Sequence, residues 1–187
     1  MTNFELIRQE CENYWSKNHH SDREARESLT EMGIGDLCLT WGMTNYQSFA
    51  EVILQTKKPK RFIVFGCSIG YQCFYWNHLF PDIPCIGIDL MSFRLDWGKK
   101  IIDKFLIKNV TLICDSIENF QIEDGDLIWQ NNLLFDEEFT IELSTNIFKN
   151  FDAEMISYVQ LKTKESIFRS EEHTSELQSR QYLVCRL

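Results

Sequence analysis

The sequence predicts an α/β protein, a doubly wound parallel sheet behind a set of N-terminal helices. Three observations predict it. From residue 62 onward, short apolar runs alternate with segments of helical periodicity, the pattern of βα units. The first run, Phe62-Ile63-Val64-Phe65, is apolar without alternation, as in a strand buried on both faces. Before it, residues 1–60 carry helical spacing instead.

Phe4, Ile7, Cys11, Tyr14 and Trp15 recur every three or four residues and give one face of a helix over 3–17. Ser21-Asp22-Arg23-Glu24 has the capping-box spacing and opens a second helix to about Met32, stopped by Gly33 and Gly35. A loop, Trp41-Gly42-Met43-Thr44, leads into a helix over 46–55 with Phe49, Val52 and Ile53 inward. Lys57 to Arg61 is a basic, solvated turn. After the first strand, the small-residue turn Gly66 to Gly70 precedes an aromatic-rich helix over 71–80. Further strands are expected at 84–88, 110–114, 126–129 and 155–159, and further helices at 93–106 and 141–148.

The chain has 187 residues, enough for one substantial core. Nineteen Lys and Arg stand against 28 Asp and Glu, a net charge of −9, which argues against direct nucleic-acid binding through a basic surface. No apolar run reaches membrane-span length, and the N-terminus lacks a signal-peptide pattern. Seven Cys include no CxxC pair. Cys67, Cys73, Cys85 and Cys114 lie in or beside apolar segments and read as buried reduced thiols, not as a disulfide framework or metal site. The expected location is intracellular, in the cytoplasm.

In an open α/β sheet, ligands bind outside the carboxyl ends of the strands. After the first strand, Gly66-Cys67-Ser68-Ile69-Gly70 lets a ligand approach the backbone closely. After the second comes Asp89, 19 residues beyond Gly70, placed to accept ribose hydroxyls. After the third come Asp115 and Ser116, where a carboxylate can take an adenine amino group. After the fourth come Asn131 and Asn132, whose amides can orient a nitrogen nucleophile. Their placement at four successive strand ends points to a nucleoside-containing ligand across the top of the sheet. GCSIG lacks the GxGxxG dinucleotide fingerprint, and there is no phosphate-binding P-loop.

An apolar strand, GxxxG and then an acidic residue about 19 positions on resembles the S-adenosylmethionine site of class I methyltransferases, over roughly residues 60–160. Two segments carry a narrower resemblance. Trp41-Gly42-Met43-Thr44 is similar to a Tyr-Gly-Glu-Thr loop, and Asp126 to Phe135 (DLIWQNNLLF) to a Val-Asn-Asn-Phe-x-Phe motif. Both belong to the non-SET histone-lysine methyltransferases of the disruptor-of-telomeric-silencing type. The resemblance implies a Rossmann-like sheet of the class I methyltransferase type and S-adenosylmethionine as cofactor. It places Thr44, Gly66, Ser68, Gly70, Asp89, Asp115 and Ser116 at the cofactor, and Asn131 and Asn132 at the acceptor amine. The partner it implies is a protein or small-molecule methyl acceptor, with a nuclear location if that acceptor is a histone. The sequence departs from the family at Met43 (Glu), Trp41 (Tyr), Val64 (acidic) and Ser68 (Gly). Trp41, Trp129 and Phe135 read either as an apolar sleeve favouring a neutral lysine or as core packing.

Two other classes compete. GCSIG also fits G-x-S-x-G, the nucleophile elbow of α/β-hydrolases, which would make Ser68 a nucleophile in need of a later His. The losses at Met43 and Val64 motivate a module that binds the cofactor without transferring a methyl group.

Residues 169–187 carry a separate signal. Arg169 to Ser179 (RSEEHTSELQS) and Leu183 to Leu187 (LVCRL) match the translation of a common sequencing-library adapter in one frame. The expected organisation is a helical segment with a covering loop at 1–56, an incomplete methyltransferase core at 57–168, and a non-native tail at 169–187. On that reading the core is truncated at its C-terminus. The fifth strand is then expected to be an exposed, aggregation-prone edge.

Overall fold

A computed structural model of the chain describes residues 1–18, 44–131, 137–157, 167–169 and 183–186. The helix expected over 21–32, residues 41–43 of the loop, Asn132 and Phe135 lie outside these residues.

All five apolar runs form parallel strands: β1 (Arg61–Phe65), β2 (Cys85–Asp89), β3 (Val110–Cys114), β4 (Asp126–Gln130) and β5 (Glu154–Ser157). Two further strands are described, β6 (Ile167–Arg169) and β7 (Leu183–Arg186), and the sheet order is β3-β2-β1-β4-β5-β7-β6. The described helices are α1 (Asn3–Asn18), α2 (Tyr46–Ile53), α3 (Tyr71–Leu79), α4 (Ser92–Phe105) and α5 (Glu137–Asn150). A 3₁₀ turn covers Ile117–Asn119. Helix α5 begins four residues ahead of the expected start.

The side chains of each parallel strand alternate between two cores. Phe62, Val64, Leu127 and Trp129 join residues of α1 to α4 on one face. Ile63, Phe65, Ile128 and Met155 join Ile147 of α5 on the other. The central strands β1 and β4 are buried on both faces, which explains their lack of a polar alternation, whereas the edge strand β3 exposes Thr111 and Cys114. Helix α3 buries six successive residues, Tyr71 to Trp76, because sheet and helices enclose it on all sides. Phe62 stacks on Trp76 at 4.2 Å and 13°. Phe49 of α2 reaches Trp129 at 5.0 Å between ring centroids.

The two cores place the connections after β1 and β4 on opposite faces. Strands β1 and β4 are adjacent, in register from Arg61↔Asp126 to Phe65↔Gln130. The topological switch point lies between their carboxyl ends, where such sheets bind ligands.

Two expectations are corrected. The fifth strand is not an exposed edge. β7 lies antiparallel against β5, pairing Met155↔Cys185, Ile156↔Val184 and Ser157↔Leu183, and β6 pairs with β7. Leu183-Val184-Cys185 has the extended, β-favouring character that an unpaired strand edge accepts. Cys114 is exposed, unlike buried Cys67, Cys73 and Cys85, because it ends the outermost strand β3.

Candidate functional site

Between β1 and α3 the chain turns tightly, and three residues within five take left-handed backbone angles: Gly66 at φ 71°, Ser68 at 54° and Gly70 at 88°. Glycine adopts this region without strain, whereas Ser68 carries a side chain there. The turn is held from below. Gly66 and Cys67 donate their N–H groups to Ile88 O at 2.9 and 3.1 Å, and Gly70 N–H closes on Cys67 O at 2.8 Å. Gly98 of α4 supports it from the side. A Cβ on Gly98 would stand 2.3 Å from Ile69 O, so only glycine lets α4 approach the turn this closely.

Asp89, at the end of β2, is bound to that turn. Its Oδ2 accepts the Ser68 N–H at 2.7 Å, and its Oδ1 accepts the Met91 N–H at 2.9 Å. Burial pushes the Asp89 carboxyl above its ordinary value, while the Met91 and Ser68 backbone donors and the Arg94 charge act the other way. The Leu90 backbone N–H adds to these donors.

Asp115 follows β3 and is exposed. Its backbone N–H reaches Asp89 O at 3.2 Å, and its Oδ1 accepts from Ser116 N–H at 2.7 Å and Asn119 Nδ2 at 2.9 Å. Ser116 caps the 3₁₀ turn, its Oγ accepting the Glu118 N–H at 3.4 Å. Thr44 is buried just ahead of α2, whose N-cap Asn45 Oδ1 accepts the Ser48 N–H at 2.8 Å.

Asn131 reaches across the switch point. Its Nδ2 donates to Gly66 O at 2.8 Å, and its backbone N–H donates to Phe65 O at 3.0 Å. Its Oδ1 accepts from Trp129 Nε1 at 3.0 Å and from Gln72 Nε2 at 2.8 Å. This carboxamide therefore ties the end of β4 to the turn after β1. Trp129 is fully buried in the core, with its indole N–H directed at that amide.

Gly66, Ser68, Gly70, Asp89 and Asn131 thus come together in one hydrogen-bonded unit, joined through the backbone by Asp115. Four participants are not singled out by the sequence reading: Gln72, Gly98, the Met91 N–H and Gln130. Gln72 carried a signal, being the one amide within the aromatic stretch Tyr71 to Trp76. Four buried side-chain atoms on these segments have no hydrogen-bond partner: Ser68 Oγ, Gln72 Oε1 and both amide atoms of Gln130, the last residue of β4. Arg8 Nε, Trp76 Nε1 and Trp97 Nε1 share that condition elsewhere in the chain. Such atoms are few in native proteins.

Ser68 Oγ has no base to take its proton among the described residues. His78 stacks on Phe4 at 3.8 Å and 6° at the far end of α3. Burial pushes the Cys67 and Cys85 thiols well above their ordinary values, so neither is a ready nucleophile.

No family model and no curated protein matches the chain. Solved structures do. The SAH-bound methyltransferase PaMTH1 of Podospora anserina superposes with a TM-score of 0.59 at 12% identity, over 97% of this chain and 95% of that one. TrmK of M. capricolum, in complex with S-adenosyl-homocysteine, gives 0.51 at 14% identity, over 77% and 68%. PKMT2 of Rickettsia typhi, in complex with AdoHcy, gives 0.47 at 21% identity over 53% of this chain, which spans only 20% of that protein's length. The parallel order β3-β2-β1-β4-β5 is that of the Rossmann-like class I methyltransferase fold.

Proposed function

We propose that this chain is an S-adenosylmethionine-dependent methyltransferase acting on an amine, with protein lysine, as in histone-lysine methyltransferases, the preferred acceptor class. The observation that carries the reading is the unit at the switch point. It combines a left-handed glycine turn, a half-buried carboxylate clamped to that turn, and unpaired polar atoms on Ser68 of the turn and Gln72 of the helix it opens. The turn and Asp89 suit a nucleoside bearing an amino-acid arm. SAH in the complexes of PaMTH1 and TrmK, which share this fold, supports the same assignment.

In this reading Gly66, Ser68 and Gly70 hold the arm, Asp89 the ribose, Asp115 and Ser116 the adenine side, and Thr44 lies beside the cofactor. The sulfonium of the bound cofactor supplies an activated methyl group. The chain's own work is to align the amine and to keep water away, for which no strong base is needed. Asn131 positions the turn, since its carboxamide is engaged at both ends, and Asn132 is left to accept a hydrogen from the acceptor amine. The apolar surroundings favour the neutral amine, because desolvation lowers an amine's pKa.

The test is a thermal melt with and without S-adenosylmethionine. Ligand at 100 times its dissociation constant adds about 2.7 kcal/mol of stability. The expected result is a clear upward shift that Asp89→Ala abolishes, followed by methyl transfer to a lysine peptide in preference to small amines. A folded chain that shows no shift would sink the reading.

A further inference from the structure

The amide chain at the switch point has a forced orientation. An indole N–H can only donate, so the atom of Asn131 facing Trp129 Nε1 at 3.0 Å is its oxygen. A backbone carbonyl can only accept, so the atom facing Gly66 O at 2.8 Å is its nitrogen. Two groups of fixed character thus set Asn131 from both sides. Gln72 meets the Asn131 oxygen at 2.8 Å and must present its own nitrogen there. The same nitrogen lies 3.1 Å from the Tyr71 hydroxyl. Gln72 Oε1 is therefore fixed as an acceptor, and it is buried with no donor. Gln72 itself is 0% exposed. A buried acceptor left unpaired is costly to the fold. This one stands one residue into α3, next to the turn and beside the gap between β1 and β4.

We infer that Gln72 is a ligand-binding residue whose Oε1 accepts a hydrogen bond from an amine nitrogen held at the switch point. The inference rests on the methyltransferase reading and adds a polar contact made by α3. Amine nitrogen has two possible sources there, the amino-acid arm of the cofactor and the methyl acceptor. The acceptor character of Oε1 is set by Trp129, two residues before Asn131, so the tryptophan indirectly selects a donor over an acceptor as the bound group.

The experiment uses the full chain and measures binding by calorimetry. SAH carries the arm's amine. 5′-Deoxy-5′-methylthioadenosine shares the nucleoside but lacks the arm. n-Butylamine, added to the SAH-saturated protein, stands for the acceptor. Gln72→Met is expected to weaken one amine-bearing probe about tenfold or more. Selective loss of SAH relative to methylthioadenosine assigns the arm. Selective loss of n-butylamine assigns the acceptor. Equal change in all three, or none, overturns the inference.

Gln72→Lys provides a second route if Gln72→Met does not fold. Its ammonium keeps a donor toward Asn131 Oδ1 and removes the acceptor. Affinity for the assigned probe should fall about tenfold or more, with methylthioadenosine unaffected. A loss shared by all probes overturns the inference. Absence of SAH binding to the unaltered, folded chain is a different result and strikes the methyltransferase reading itself.

Discussion

The β1–β4 pair has the same two strands at both ends, yet its ends are built in opposite ways. At the amino end, Arg61 and Asp126 face each other in register and form a two-pronged ion pair, Nε to Oδ1 at 2.9 Å and a second nitrogen to Oδ2 at 2.7 Å. Glu123 adds a carboxylate at 2.8 Å, and its N–H caps Asp126 Oδ2 at 2.9 Å. Lys60 N–H bonds Gly125 O at 2.8 Å, and Gly125 N–H bonds Asp152 O at 2.7 Å. At the carboxyl end, the register partners are Phe65 and Gln130, and the amide of Gln130 has no partner. Ser68 and Gln72 leave further atoms unpaired there. One end commits its polar groups to the fold, and the other leaves some of them unpaired.

That contrast is broken most severely by Asp126→Ala. The substitution removes both prongs of the pair and the acceptor of the Glu123 N–H, leaving Arg61 with Glu123 alone, and should cost about 2–3 kcal/mol of stability as charge-assisted hydrogen bonds are lost. Urea unfolding reads the loss. SAH affinity in the folded fraction should hold within twofold, and a selective loss of binding would show that the two ends are not separate.

Gly98→Ala attacks the other end through its support. The added Cβ meets Ile69 O at 2.3 Å and Leu112 Cδ1 at 2.5 Å, so α4 or the turn must move. Overpacking of this kind costs about 1–3 kcal/mol. Here, unlike Asp126→Ala, ligand binding should fall together with stability. A melt and a SAH titration on the same sample check both, and intact binding would mean that α4 yields and the turn does not.

The smallest effect is a pH slope. The Asp89 carboxyl is raised by burial, so the folded chain holds that proton more tightly than the unfolded chain. Its contribution to stability is present below the ordinary Asp value and is lost as pH rises through the raised one. Stability measured against pH from the ordinary Asp range upward should therefore fall less steeply in Asp89→Asn than in the parent chain. Parallel slopes would count against the raised carboxyl.

Much of this architecture is legible in the sequence, for a physical reason. Phe62 to Phe65 lies between two cores and has to be apolar at every position, so the strand and its carboxyl end can be read off together. Gly66, Gly70 and Asp89 follow from position alone once the strand ends are placed. Gln72 and Gly98 are different. Each matters through a partner distant in sequence, Asn131 for one and Ile69 for the other, and only the folded chain supplies that pairing. Asn131 falls between these cases. Its place at a strand end is plain, but its inward commitment to Gly66 and Trp129 depends on the register of β4 against β1. The edge position of Cys114 likewise follows from strand order, which apolarity does not encode.

The outer strands carry a temporal consequence. β7 is later in the chain than β6 but lies between β6 and β5. During synthesis the five parallel strands can associate in the order in which they emerge, β1 with β2, β2 with β3, then β4 and β5 on the other side. β6 has no neighbour to join until Leu183–Arg186 has left the ribosome. For the length of that translational delay the flank of β5 is open to any other extended strand, so a nascent-chain chaperone or a slow stretch of codons would exert its effect on this part of the sheet.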